Sequence, residues 1–145
     1  MSKDAFIKKY VVAKNSIQLI NVSLEQSQFN KVGFITENLQ HNLSFGYQVK
    51  VENREVFGFL KTNVESINSN GEKALEVQTI HKGEFQFSED ITLELAEEFA
   101  HVQSVPQLIS YARSHIQFVS SQMLSEPIQL PTMDIIESLI QNTDE

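Results

Sequence analysis

The sequence predicts an α+β domain: a four-stranded antiparallel sheet with helices packed on one face. Three observations carry this. All three prolines, at 106, 127 and 131, fall in the last third of the chain, so strands come first and helices after. Residues 41–52 alternate apolar and polar, the period of a half-buried strand. Residues 104–122 repeat apolar side chains every three or four positions, which only a helix brings onto one side.

Ser16 to Leu24, rich in Ile, Leu and Val, reads as the first strand, and a slip of alternation between Leu19 and Ile20 predicts a bulge or burial on both faces. Glu25 to Glu37 is polar with Phe29, Val32 and Phe34 dispersed through it, and reads as a long connection. In the second strand, His41–Glu52, Leu43, Phe45, Tyr47, Val49 and Val51 share the core side. After a turn at 53–55 comes Val56–Ile67, with Val56, Gly58, Leu60, Thr62 and Val64 on one side and Phe57 and Phe59 on the other. Ser69-Asn70-Gly71-Glu72 is a hairpin signal, because Asn-Gly tolerates positive φ at both turn positions. Lys73–Phe87 is the fourth strand, with Gly83 marking a bend or bulge. Short turns after the second strand predict a meander.

Thr92 to Val102 predicts a short acidic helix, and Ser104 caps a second, with Pro106 in its first turn. In that helix Val105, Ile109, Ala112, Ile116, Val119 and Met123 form one row, and Leu108, Tyr111, His115 and Phe118 a second beside it. Two rows cover more of the helix than one sheet buries, so it touches its own sheet and also another subunit or a ligand. Ser125-Glu126-Pro127 ends it, Pro127 and Pro131 bracket an extended linker, and Asp134 to Glu137 has the form of a capping box for a last helix. The 145 residues fit one domain, with short disordered ends near 1–5 and 142–145.

Composition removes several classes of function. The net charge is −8 with only 11 Lys and Arg, and no basic patch for nucleic acid is visible. Between 84 and 98 lie Glu84, Glu89, Asp90, Glu94, Glu97 and Glu98 without a Lys or Arg, a solvated stretch or a surface for a basic partner. Without cysteine the chain has no disulfide, thiolate metal site or Cys nucleophile, which fits a reducing cytoplasm. No apolar run reaches the ~18 residues of a membrane span, so no insertion is expected. The five glycines never cluster into a phosphate loop, and none of His41, His81, His101 and His115 stands at metal-ligand spacing, so no cofactor or metal is expected. His115, on the buried side of its helix, reads as a structural hydrogen-bonded residue. Ten phenylalanines exceed what one helical seam needs. Phe45, Phe57 and Phe118 read as core, while Phe29 and Phe34 divide evenly between core and an exposed binding surface.

The carboxyl-terminal half resembles a known family. Ser110-Tyr111-Ala112-Arg113 in the main helix, then Ile128-Gln129-Leu130-Pro131-Thr132-Met133-Asp134 and a last helix, are similar to SecB, the bacterial export chaperone. Val56–Phe87, with its Gly83-Glu84-Phe85 step, resembles the family's central strands, so the likeness runs over roughly residues 10–142. It implies a four-stranded sheet with helices on one side and a homotetramer built as a dimer of dimers. Leu108, Tyr111, His115, Phe118 and Gln122 of the main helix would lie at the oligomer interface. It also implies a holdase that binds unfolded clients in apolar grooves, without ATP and without catalysis. The groove positions that match are Phe29, Phe34, Met133, Ile135, Ile136 and Leu139. In the family, acids on the open sheet face dock the SecA motor. The matching positions here are Glu76 and Gln78, but Asn15, Ser16 and Gln18 stand where acids are expected. This points to a divergent member, for general export or for one dedicated client such as an antitoxin.

Read from its residues alone, the chain keeps two other possibilities. One is a small α+β enzyme or ligand-binding cup, which would need His41 or His81 in a buried polar pocket beside a Glu. The other is an oligomeric adaptor whose apolar rows only join subunits.

Overall fold

Four strands, β1 (Ile17–Lys31), β2 (Gln40–Glu52), β3 (Glu55–Ile67) and β4 (Lys73–Phe87), form one antiparallel sheet, and one long helix, α1 (Leu93–Met123), lies across it. The computed structural model describes residues 2–5, 7–8, 17–33, 37–52, 55–87 and 92–129, without the side chains of 102–106. The expected last helix, the tail at 142–145, and Asn15 and Ser16 lie outside those residues. At the other end, residues 3–5, expected to be disordered, are helical, with the Ala5 N–H donating to Ser2 Oγ at 3.2 Å.

The strand order is β1-β4-β3-β2, which corrects the expected meander. β2, β3 and β4 follow one another as hairpins, but β1 sits beyond β4, as in a Greek key. β1 is also longer than expected and takes in most of the predicted connection. Its register with β4 runs from Ile17 opposite Phe87 to Lys31 opposite Leu75, broken twice. One break is the expected slip at Ile20, and the second is at Glu25. Each inserts one residue into β1, so its apolar residues return to the core face after the irregularity. Alternation read without the two insertions ends the strand too early.

The hairpin between β3 and β4 also differs from the expected turn. Only Gly71 takes positive φ, at 78°. Asn68 organises the turn: its carbonyl accepts from the Gly71 N–H at 3.0 Å, and its side-chain Oδ1 accepts from the N–H groups of Asn70 and Glu72, both at 3.0 Å. The loop is thus a turn closed by a left-handed glycine, with a buried Asx side chain in place of the mirror-image two-residue turn.

α1 is one helix where two were expected. Thr92 caps it, its hydroxyl accepting from the Leu95 N–H at 3.2 Å, so Ser104 and Pro106 fall inside it. Pro106 has no N–H to give and removes one rung of the helical ladder without ending it. The helix stops at Met123. The Leu124 N–H donates to the Ser120 carbonyl at 2.9 Å, and the Ile128 N–H donates to Ser120 Oγ at 2.7 Å. That buried bond ties the linker back to the helix and puts Ile128 in the core.

The core has two apolar ends. At one, Ile17, Val56, Phe85 and Phe87 meet Ala96, Phe99 and Ala100 of α1; at the other, Val64, Leu75 and Val77 meet Ile116, Leu124 and Ile128. Between them runs a polar belt of Thr62, Thr79 and His81 from the sheet, with His115 from the helix. Gly83 is not a bulge: it pairs in register with Gly58 on β3 and Val22 on β1. A Cβ there would stand 3.1 Å from Leu19 Cδ1 and 3.2 Å from Leu108 Cδ2, so glycine is what lets the helix sit close to the sheet.

Candidate interaction surfaces

Which side chains α1 leaves uncovered follows from which it buries. Ile109, Ala112 and Ile116 of the first row are buried on the sheet. Leu108, expected at a subunit interface, is 0% exposed and belongs to the subunit's own core. Its neighbours in the second row diverge from it. Tyr111 is 51% exposed and Phe118 65%, and Gln122 is exposed beside them. Phe118, read as core, therefore sits on an open apolar stripe running along the outer side of the helix. His115 lies between the two sides. Its Nε2 and Ser27 Oγ are 2.8 Å apart, and its ring meets Phe29 edge-on at 5.8 Å and His81 at 6.0 Å between centroids.

Phe29 is in β1, opposite Val77, and not in a connection. It is half-buried against the second core cluster, beneath the helix. The other groove positions, Phe34, Met133, Ile135, Ile136 and Leu139, lie outside the described residues. Other exposed apolar side chains among the described residues are Ile7, then Ile20, Leu24 and Val32 on and just beyond β1, and Leu93 and Leu95 in the first turn of α1.

The two sheet edges differ. β1 is broken by two bulges, which spoil it as a template for another strand. β2 pairs with β3 from Gln40 to Glu52 without a shift. Its apolar row, Leu43, Phe45, Tyr47, Val49 and Val51, is only half-buried, because α1 lies mainly over β3 and β4. Tyr47 is the anchor on that row. Its hydroxyl donates to the Ala100 carbonyl at 3.1 Å, its ring packs edge-on against His101 at 4.8 Å, and burial pushes the phenol pKa well up.

On the face away from α1, Glu76 and Gln78 share a shallow polar depression of about 390 Å³ with Gln28, Asn42, Asn63 and Glu65. Lys73 reaches over its rim, 2.7 Å from Glu76 and 3.1 Å from Glu65. Phe57 and Phe59 are on this face too, half-buried, so Phe57 is not part of the core beneath the helix.

The four histidines form no metal site: among the described residues no three His, Asp or Glu converge. His41 lines a depression with Glu37 and Glu126, but it is exposed and its Nδ1 lies 2.6 Å from Ser66 Oγ. His81 is 4% exposed, set in the belt with Thr62 and Thr79, opposite Leu24 and Leu60 and beside the His115 ring. Neither meets the description of a buried acid–base pocket.

No family model and no curated protein matches this sequence. Solved structures do. The SecB-like chaperone Rv1957 of Mycobacterium tuberculosis, solved in complex with a ChAD peptide from the antitoxin HigA1, superposes with a TM-score of 0.74. The match covers 88% of this chain and 97% of that one at 13% identity. The chain has the SecB-like fold. A Streptococcus agalactiae protein of unknown function also matches, at a TM-score of 0.44 and 9% identity over 80% of this chain and 97% of that one. No described helix is long and apolar enough to cross a membrane.

Proposed function

We propose that this chain is a chaperone that holds extended polypeptides without ATP and without catalysis. The observation that carries the reading is the β2 edge. A 13-residue strand in unbroken register ends the sheet with a half-covered apolar row, and this suits an extended segment added as a further strand. Main-chain hydrogen bonds would give affinity for any sequence, and the apolar row would favour alternating hydrophobic clients. The SecB-like fold supports the same reading, since the mycobacterial neighbour is a chaperone that was solved holding a peptide. By the resemblance, Phe34, Met133, Ile135, Ile136 and Leu139 would add apolar groove surface, whereas Phe29, on β1 at the opposite edge of the sheet, would not be part of the β2 site. Tyr111, Phe118 and Gln122 would join copies of the chain into the dimer of dimers. Docking of the export motor through Glu76 and Gln78 is the weakest part of the resemblance, because Glu76 already holds Lys73 and Gln78 is neutral.

The test is direct. Stoichiometric chain is expected to suppress aggregation of a chemically unfolded, non-native protein, and an unfolded client peptide is expected to slow amide exchange across 40–52 more than across 17–31. Aggregation that proceeds unchanged overturns the chaperone reading. Suppression with equal protection of both edges keeps the chaperone and removes β2 as its site.

A further inference from the structure

The sheet face turned away from α1 gathers its lysines in one place. At one end are the amides and carboxylates around Glu76. At the other, three lysines, one from each of β2, β3 and β4, stand round an aromatic floor. Phe59 lies directly opposite Lys82 in the register, and Phe57 lies opposite Lys50 on one side and Glu84 on the other. Lys82 Nζ sits 4.6 Å from the Phe57 ring centroid and 6.0 Å from that of Phe59, while Lys50 Nζ sits 5.4 Å from the Phe59 ring. One ring thus carries an ammonium from each neighbouring strand. Lys61 completes the group, next to Phe59 on β3's open face but one residue pair further along, opposite Gly46 and Ile80.

Two features distinguish this cluster from ordinary surface lysines. First, its cations are held but poorly neutralised. Among the described residues Lys50 and Lys61 make no ion pair, and Lys82 reaches only Glu84, at the 4.0 Å limit. Like charges gathered on one patch repel, and the cation–π contacts fix the ammonium groups without cancelling them. On a chain of net charge −8 the three cations form a confined basic spot, bordered on the same face by Glu52, Glu55 and Glu84 beyond Phe57 and by Glu65 and Glu76 at the other end. Second, there is a notch in the middle. Gly46 has no side chain, and a Cβ there would meet only Lys61 Cβ at 3.8 Å. The opening, walled by Lys50, Phe59, Lys61 and Ile80, measures about 420 Å³.

We infer that this half of the open face docks an acidic segment of a partner polypeptide, with carboxylates against Lys50, Lys61 and Lys82 and one apolar side chain seated over Gly46. Three lysines are too few for nucleic acid on a chain of this net charge, where phosphate binding needs a longer basic track. A polypeptide offers what the patch has, separated anions with an apolar group between them. This surface is on the opposite side of the sheet from α1; it shares Gly46 and Lys50 with β2 but uses the open face of that strand, not the free main-chain edge proposed for clients.

Gly46→Val tests the notch with little risk to the fold, because the position is open and valine favours strands. Lys61→Glu tests the charge at an exposed position. The probe is a fluorescently labelled 12-residue peptide alternating Glu and Leu, titrated into the full chain. The matching Lys–Leu peptide, a 12-nucleotide single-stranded DNA and phosphatidylserine vesicles serve as competitors. The Glu–Leu peptide is expected to bind, to weaken as salt rises, and to lose about tenfold or more in affinity in each variant. Suppression of client aggregation is expected to be unchanged in Lys61→Glu, which lies on β3 and outside the client edge. Equal binding of the Lys–Leu peptide, displacement by the DNA or the vesicles, or unaltered affinity in the two variants would overturn the inference, and none of these outcomes depends on the chaperone reading.

Discussion

His81 shows what a single residue contributes and what it costs. It is nearly fully buried, its Nδ1 has no hydrogen-bond partner among the described residues, and it sits with Thr62 and Thr79 in the buried belt, opposite Leu24 and Leu60 of the adjoining strands and beside His115 of α1. Burial, and then the neighbouring imidazole, lower its pKa below the usual 6.5. Burial lowers those of His115 and His41 as well. The unfolded chain therefore binds more protons than the folded one once the pH falls below about 6.5, and stability is lost in that direction. Above that value all three are neutral in both states and contribute no slope. The urea midpoint is expected to stay level from pH 8 to 7 and to drop between pH 6.5 and 5. His81→Phe, which removes the most buried of the three, should flatten that drop. A wild-type midpoint that is constant down to pH 5 would rule the account out.

At the scale of elements, the strength of local patterning decided what the sequence made legible. β2, β3 and β4 could be read almost to the residue, since strict alternation and an Asn-Gly turn mark them. β1 could not, because two inserted residues reset its alternation, and no residue type signals a bulge in advance. The join of two predicted helices into α1 was hidden by Ser104 and Pro106, good start signals that here fall inside a helix already capped at Thr92. Asn68 was missed because its role depends on a side chain turning back to two backbone N–H groups, which spacing does not reveal. Of the expected interface row, spacing placed Tyr111 and Phe118 rightly on a second side of the helix, but it grouped Leu108 with them. Only the close approach at Gly83 brings Leu108 into the core. That approach is itself testable. Gly83→Ala would put a methyl about 3 Å from Leu19, Phe85 and Leu108 at once. Overpacking of this kind costs about 1–3 kcal/mol, because the helix must lift or the leucines leave their rotamers. Thermal unfolding followed by circular dichroism should show the loss, and a variant as stable as the parent would mean that α1 moves away freely.

For the whole molecule, the described residues leave three unlike surfaces around one thin core. α1 turns an aromatic stripe outward, β2 ends the sheet with an open edge, and the far face pairs a lysine–aromatic patch with an amide-rich hollow. Two of these suit partners of other sequence, but the stripe suits a second copy of the same helix. A lone phenylalanine that is 65% exposed is unremarkable, yet Phe118 lies two turns from an exposed Tyr111 on the same side, with Gln122 one turn further on. If copies meet there, Phe118→Asp places two or more carboxylates in a contact that must exclude water, while the isolated subunit barely registers the change. Light scattering at micromolar concentration is then expected to show the assembly falling to a smaller species with an unchanged far-ultraviolet spectrum. If the mass of the variant equals that of the parent, the helix stripe is not where subunits join, and the apolar surface on α1 must be assigned to clients.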